Sequence, residues 1–200
     1  MAAPLSKDVT NLTGTWHLNR KLSDDPESLF AMQGVPWITR KALRLASLSL
    51  QMTQSVSMFD ASSDSTSDGT NTSSDDDGFV TMLHVRQVVS PGSFNSDSSC
   101  PVNGQEQHMS VPIFGDIKMS LRYMKASDIK DEVLRQRYED GCPTKMVIDE
   151  DAFNPKMGWT AHVLWGFENI NGKRYLTRNA TSSRNDETVV ARMVYDYHEK

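Results

Sequence analysis

Apolar and polar positions alternate through the last third of the chain. Trp159, Ala161, Val163, Trp165 and Phe167 recur at every second residue, the period of a half-buried strand. Asn171-Gly172 follows, a dipeptide suited to a tight hairpin because both residues tolerate positive φ. Residues 175–181 return from that turn, Asn185-Asp186 marks the next, and Val189, Ala191, Met193, Tyr195 and Tyr197 alternate toward the end. Earlier strands are predicted at 12–19, at 48–53 with Leu48, Leu50 and Met52 on one face, at 79–89 and at 117–123, with 144–148 a further candidate.

Helical spacing interrupts this pattern early. Ser23 reads as an N-cap ahead of Asp24, Asp25 and Glu27, carboxylates that favour the positive end of a helix. Leu29, Phe30 and Met32 give that helix an apolar side, and Gly34 is a natural stop. Pro36 opens a second helix, where a missing amide hydrogen costs nothing, with Ile38, Ala42, Leu45 and Ala46 as its apolar positions. Residues 127–138 read as one further short helix, capped by Ser127 and apolar at Ile129, Val133 and Leu134. Hairpin-linked strands with a single early helical pair predict a mainly β, antiparallel barrel rather than an α/β sheet.

Composition narrows the picture. At 200 residues the chain suits one domain, 1–200. Residues 60–78 are a run of Ser, Asp, Thr, Asn and Gly with nothing to bury, and predict a disordered insert. Residues 90–104 read as a second polar connection. The 26 acidic residues outnumber the 21 basic ones for a net charge of −5, which argues against a general nucleic-acid binder. Cys100 and Cys142 are too few for a disulfide framework and have no metal-ligand spacing. No apolar run approaches the ~18 residues of a spanning helix. These features predict a cytoplasmic protein with reduced thiols.

Gly14-Thr-Trp-His-Leu, followed by the helical pair and then Gly34-Val-Pro-Trp-Ile-Thr-Arg-Lys-Ala-Leu-Arg-Leu-Ala46, resembles the opening of the intracellular fatty-acid-binding proteins. The second helix of that family carries a Gly-Val-x-x-x-Thr-Arg-Lys pattern, matched by Gly34, Val35, Thr39, Arg40 and Lys41. The whole chain also resembles uncharacterised fungal calycin-like proteins. The resemblance implies a calycin barrel with a helical lid over residues 23–46, an apolar ligand inside, and lid contact with anionic membranes through its basic face.

Gly172-Lys-Arg-Tyr-Leu-Thr-Arg178 is similar to the family's hairpin whose arginine binds a ligand carboxylate, which puts Arg178 in that role. The family's second anchor, Arg-x-Tyr on the last strand, is one residue out of register in Arg192-Met-Val-Tyr195. Arg192 and Tyr195 cannot share a strand face without a bulge, so an inward Tyr195 puts Met193 in the arginine's place. The family also has two strands after the turn matched by Asn185-Asp186, where this chain has room for one.

The expected ligand-binding residues are Arg178, Tyr195, Met193, Trp165, Val163, Leu83 and Leu50, with His84 and Arg86 as polar wall groups or solvent-facing residues. Phe30, Ile38, Arg40 and Lys41 are the expected lid residues, and Trp16 is expected to pack the barrel bottom. The remaining histidines have no metal spacing, so neither a metal nor a cofactor is expected. No nucleophile elbow or phosphate loop occurs, and carboxylate pairs fall in linkers and turns. Binding of a hydrophobic small molecule is the leading expectation. A cofactor-independent cyclase or isomerase in the same cavity is the alternative, since a shaped pocket can accelerate a ring closure by holding its geometry. A solid barrel serving protein contacts is the third.

Overall fold

The computed structural model describes residues 1–58, 78–92 and 94–199. Among the described residues ten antiparallel strands form one sheet in the order β4-β3-β2-β1-β10-β9-β8-β7-β6-β5. They are β1 (Gly14–Leu18), β2 (Ser47–Met58), β3 (Phe79–Ser90), β4 (Ser96–Pro101), β5 (Gln107–Val111), β6 (Gly115–Lys125), β7 (Met146–Asn154), β8 (Trp159–Ile170), β9 (Lys173–Arg184) and β10 (Glu187–His198). The first and last strands pair, Trp16 opposite Tyr197, so the sheet curls on itself. Among the described residues the edge strands β4 and β5 do not pair. Bridges from Val102 to Leu121 and from Asn103 to Arg122 tie the segment after β4 to β6, leaving the barrel nearly closed.

The predicted hairpins form as their turn residues dictate. Asn171 and Gly172 take φ of 51° and 73°, and Asn185 and Asp186 take 50° and 64°, the paired left-handed conformations of a turn whose twist matches the flanking strands. A single strand, β10, follows Asn185-Asp186, and the count still reaches ten because residues 79–154 supply β3 to β7. Three of these differ from the expectations drawn from the sequence, and one of them, β5, falls where no strand is predicted. Strand β4 lies inside the stretch expected to be a loose connection, and β7 runs on to Asn154 rather than stopping at 148.

Helices α1 (Glu27–Met32) and α2 (Trp37–Leu45) form the lid, separated by Gly34 at φ 78°. Ser23 does not cap α1. Its hydroxyl is held at β10, accepting from the Val194 amide at 2.8 Å, and Pro26 precedes the helix. The buried face of α2 is only partly the expected one: Ala46 just past its end is buried as expected, but Leu43 joins it against Val35 and Val89, while Ala42 is exposed, Ile38 is 67% exposed and Leu45 86% exposed. One turn of contact is enough to seat so short a helix, and helical spacing alone does not say which side is seated.

The third helical segment is split. A 3-10 turn spans Ala126–Asp128, and α3 (Glu132–Gly141) starts instead at Asp131, whose carboxylate accepts from the Leu134 amide at 2.9 Å. α3 lies on the outer face of β8, where Gly141 and Gly166 allow close approach. A Cβ on Gly141 would sit 2.0 Å from the Phe167 carbonyl oxygen, and one on Gly166 would sit 2.6 Å from the Tyr138 ring.

The N-terminal segment closes one end of the barrel. Ala3, Val9 and Leu12 are buried, and the Arg174 guanidinium donates to the carbonyls of Pro4, Lys7 and Gly141 while stacking 3.9 Å from the Phe167 ring. Trp16 is fully buried there, edge-on to Phe167 and Tyr197, and its indole N–H donates to the Leu12 carbonyl. Both cysteines are buried and free. Among the described residues no helix is long and apolar enough to cross a membrane. The insert at 60–78 lies outside the described residues apart from its last, Gly78.

Candidate functional site

Alternation along the strands turns one set of side chains inward, and these enclose a cavity of about 560 Å³. Its walls are Leu50 from β2, Leu83 and Val85 from β3, Leu121 from β6, Val163 and Trp165 from β8, and Met193 and Tyr195 from β10. Phe30 and Gln33 of the lid cover one side, and Phe30 leans on Phe114, the ring centroids being 6.2 Å apart. The volume falls within the range of small-molecule pockets, which are largely apolar with a few convergent polar groups.

The convergent polar groups lie on β7, β8 and β9. Arg178 faces Trp165 across the β8–β9 pairing, and Glu150 on β7 faces Val163 on β8. The Arg178 guanidinium donates to the Glu150 carboxylate at 3.1 Å and stacks 4.0 Å from the Trp165 ring. The Trp165 indole N–H donates to the same Glu150 oxygen at 2.5 Å. Three side chains thus fix one another, and the 18% of the Arg178 side chain that stays accessible belongs to a cavity-lining residue.

Burial alone would push the Arg178 guanidinium down. The Glu150 carboxylate and neighbouring Tyr195 more than offset this and hold it above its ordinary value. Burial pushes the Tyr195 phenol up, partly opposed by the Arg178 charge. The Cys100 thiol on the cavity wall is pushed up to about 11, first by burial and then by the nearby Glu150 charge. The site is therefore a neutral phenol and a neutral thiol around one compensated ion pair.

Arg178, Tyr195, Met193, Trp165, Val163, Leu83 and Leu50 all line this cavity. Met193 and Tyr195 point inward, while Arg192 points out and pairs with Glu168 at 3.2 Å. His84 and Arg86 are corrections. Leu83 and Val85 face the cavity, so their neighbours His84 and Arg86 take the outer face, where His84 meets Asp97 at 3.0 Å.

Of the four expected lid residues, Phe30 alone lines the cavity, where Leu29, Gln33 and Leu43 of the lid join it. Ile38 is exposed, Arg40 is tied to Glu27 at 2.9 Å and to the Val35 carbonyl, and Lys41 lies 5.9 Å from the Trp37 ring.

Glu150 escaped the sequence reading, which put carboxylates only in linkers and turns. It stands in Asp149-Glu-Asp151, which looks like a solvated acidic run. Only the alternation from Ile148 through Ala152 turns it inward. Asp149 and Asp151 take the outer face with His162, the three ligand atoms lying within 4.8 Å of one another. Asp149 is already engaged there by Arg122 at 2.5 Å and His162 at 2.6 Å, and this cluster is read as an ion-pair network on the barrel surface.

No protein-family model matches the chain. Among solved structures it is similar to fatty-acid-binding protein 1 of Echinococcus granulosus, with a TM-score of 0.53 at 14% identity over 94% of this chain and 98% of that one. It is also similar to the fluorescent protein UnaG, with a TM-score of 0.53 at 13% identity over 94% of this chain and 97% of that one. At such identities the likeness is one of fold, the calycin barrel. Among curated proteins it is 24% identical to pericyclase pydY of an Acremonium species over 98% of this chain and 97% of that protein. It is 30% identical to probable pericyclase scpY of Mollisia scopiformis over 198 residues, 98% of this chain and 94% of that protein. On that near full-length identity, the chain belongs to the family of these fungal proteins that carry the name pericyclase.

Proposed function

We propose that this protein is a cofactor-independent enzyme that closes a ring in an apolar substrate by a pericyclic reaction inside the barrel. The observation that carries the reading is an apolar cavity of about 560 Å³ with one ion pair in its wall, in a chain of this family. A pericyclic closure shifts electron pairs around a ring of substrate atoms. No atom enters or leaves, and no protein nucleophile is required, which agrees with a cavity whose thiol and phenol are held neutral.

The walls then act by restricting the substrate. Leu50, Leu83, Val163 and Met193 leave room for folded conformers in which the reacting carbons approach, so entropy lost on binding is not lost again in the barrier. Arg178, fixed by Glu150 and Trp165, donates a hydrogen bond to a substrate carbonyl and draws electron density from the double bond conjugated with it. A preorganised donor of this kind is worth about 3 kcal/mol when charge builds on the oxygen. The lid residue Phe30 keeps water out.

Non-catalytic binding of an apolar metabolite is the second reading, favoured by the same cavity and its fatty-acid-binding-protein architecture. The proposal includes work in the cytoplasm, where the buried thiols stay reduced. It also includes transient contact of the lid with anionic membranes, through exposed Trp37 and Ile38 beside Lys41. Co-sedimentation with anionic but not neutral vesicles checks that contact.

A pericyclic closure leaves the mass unchanged. Incubation with a panel of linear polyenes bearing a carbonyl-activated alkene, followed by chromatography and mass spectrometry, is expected to give an isomer of equal mass faster than buffer alone. Retention of a polyene without acceleration would favour the binding reading, and neither retention nor acceleration would remove both.

A further inference from the structure

Three buried side-chain atoms lack a hydrogen-bond partner among the described residues: Arg178 Nε, Trp159 Nε1 and Gln33 Oε1. All three belong to residues that line the cavity. A buried polar atom without a partner is costly, so such atoms are rare and call for an explanation. Their occurrence together around one cavity points to a ligand that meets them.

Their positions divide into two ends. Trp165 lies opposite Arg178, and Trp159 is six residues earlier on β8, roughly 20 Å along the strand at ~3.3 Å per residue. Gln33 belongs to the Trp159 end. Its neighbour Gly34 lies against the side chains of Met157 and Arg184, and the β8–β9 register (Thr160 opposite Ser183) puts Arg184 at the level of Trp159. Between the two ends the walls are apolar, with Ala161, Val163 and Ala180 on the same two strands.

The types of atom differ too. At the inner end the open group is a donor, Arg178 Nε. At the lid end a donor, Trp159 Nε1, accompanies an acceptor, Gln33 Oε1.

We infer that the cavity selects an elongated apolar molecule with a carbonyl-type acceptor at one end, held by Arg178, and an amide-type donor and acceptor at the other, held by Gln33 and Trp159. The inference rests on the proposed function in taking this cavity as the substrate site. It adds the substrate class and two specificity-determining residues at the lid. A simple fatty acid fits poorly, since an ionised carboxylate offers Gln33 Oε1 no proton.

Three straight-chain probes of matched length test this: a primary amide ending in a methyl ketone, the amide without the ketone, and the ketone without the amide. Binding is read from the fluorescence of Trp159 and Trp165. The keto-amide should bind about tenfold tighter than either single-ended probe, the worth of one well-made hydrogen bond.

Trp159→Phe and Gln33→Leu should each weaken the two amide probes by roughly five- to tenfold and leave the ketone within about twofold. Arg178→Met should weaken only the two ketone probes. The double variant Arg178→Met/Glu150→Gln, which leaves no unpaired charge, reads the same loss if the single variant does not fold.

Equal binding of all three probes, a uniform loss across them in Trp159→Phe, or no binding of any would overturn the inference, the open atoms then being met by cavity water. Probe discrimination without turnover of any polyene would count against the proposed function alone. Turnover without discrimination would count against this inference alone.

Discussion

Replacing Arg178 by Met removes the charge that compensates Glu150 and leaves a carboxylate against apolar walls. At 3.1 Å and an effective dielectric of about 20, the lost attraction is roughly 5 kcal/mol before solvation is considered. Breaking a buried pair from one side costs about 3–5 kcal/mol in practice. Two features lower this figure. The Trp165 indole N–H still donates to Glu150, and part of the Arg178 side chain is accessible from the cavity, so water can enter the space the guanidinium leaves. The stacking on Trp165 adds about 1 kcal/mol, which the Met sulfur partly replaces. The expected loss is about 2–4 kcal/mol.

Glu150→Gln, which keeps an acceptor for Trp165 but strands the guanidinium, should cost about 2–3 kcal/mol. The double variant has no charge to strand, and should cost less than the two singles together by about 1.5–3 kcal/mol. Urea unfolding at pH 7, with the slope unchanged among the four proteins, measures this coupling. Additivity within about 0.5 kcal/mol would refute the reasoning, because it would mean that Arg178 and Glu150 are separately solvated.

Two further outcomes follow from the burial of titratable groups. With a thiol pushed up to about 11, only about one Cys100 in a thousand is thiolate at pH 8. Alkylation of Cys100 by iodoacetamide should therefore be slow and still accelerating at pH 10, and a bound cavity ligand should slow it further; a plateau near pH 9 would contradict this. Tyr138, on the buried face of α3 against β8, donates to the Leu164 carbonyl at 2.8 Å and accepts from Asn179 at 2.6 Å. Burial raises its phenol, so the folded state keeps a proton that the unfolded chain gives up near pH 10. Stability is thus intact below that pH and falls as pH rises above it, by at most about 1.4 kcal/mol per unit for this group. Tyr138→Phe should be weaker at pH 7 by about 1–3 kcal/mol yet lose less between pH 9 and 11; an equal alkaline loss in both proteins would contradict the assignment.

The legible parts of this fold were those where one physical signal dominates. The alternation from Trp159 to Phe167 and the Asn171-Gly172 turn led directly to β8 and β9, because an apolar inner face and a left-handed turn each leave a local mark. Strand β4 left no such mark. Ser96-Asp-Ser-Ser-Cys-Pro101 is an edge strand with a mostly polar cavity side, so alternation is absent from it.

The site divides in the same way. Arg178 was recognisable on a strand with apolar neighbours. Glu150 was hidden between two aspartates, and only its pairing with Val163 turns it inward. His84 and Leu83 could not both face the cavity, and the strand period settles the choice for Leu83. The seated face of α2 depends on Val89 of β3, a partner more than forty residues away, which no helical wheel contains.

The claim that matters most is that the chemistry happens inside the barrel, and filling the cavity tests it. Ala180 is buried, lines the cavity beside Arg178, and faces Val163 and Ala191 on the two adjacent strands. Ala180→Trp should occupy the substrate's place while the ten strands keep their register. The measurement is the rate at which that variant converts a polyene accepted by the unaltered protein, alongside its melting temperature. Conversion should fall to the buffer rate while melting stays within a few degrees of the parent. Conversion at the parent rate by a folded Ala180→Trp protein would place the reaction elsewhere and contradict it.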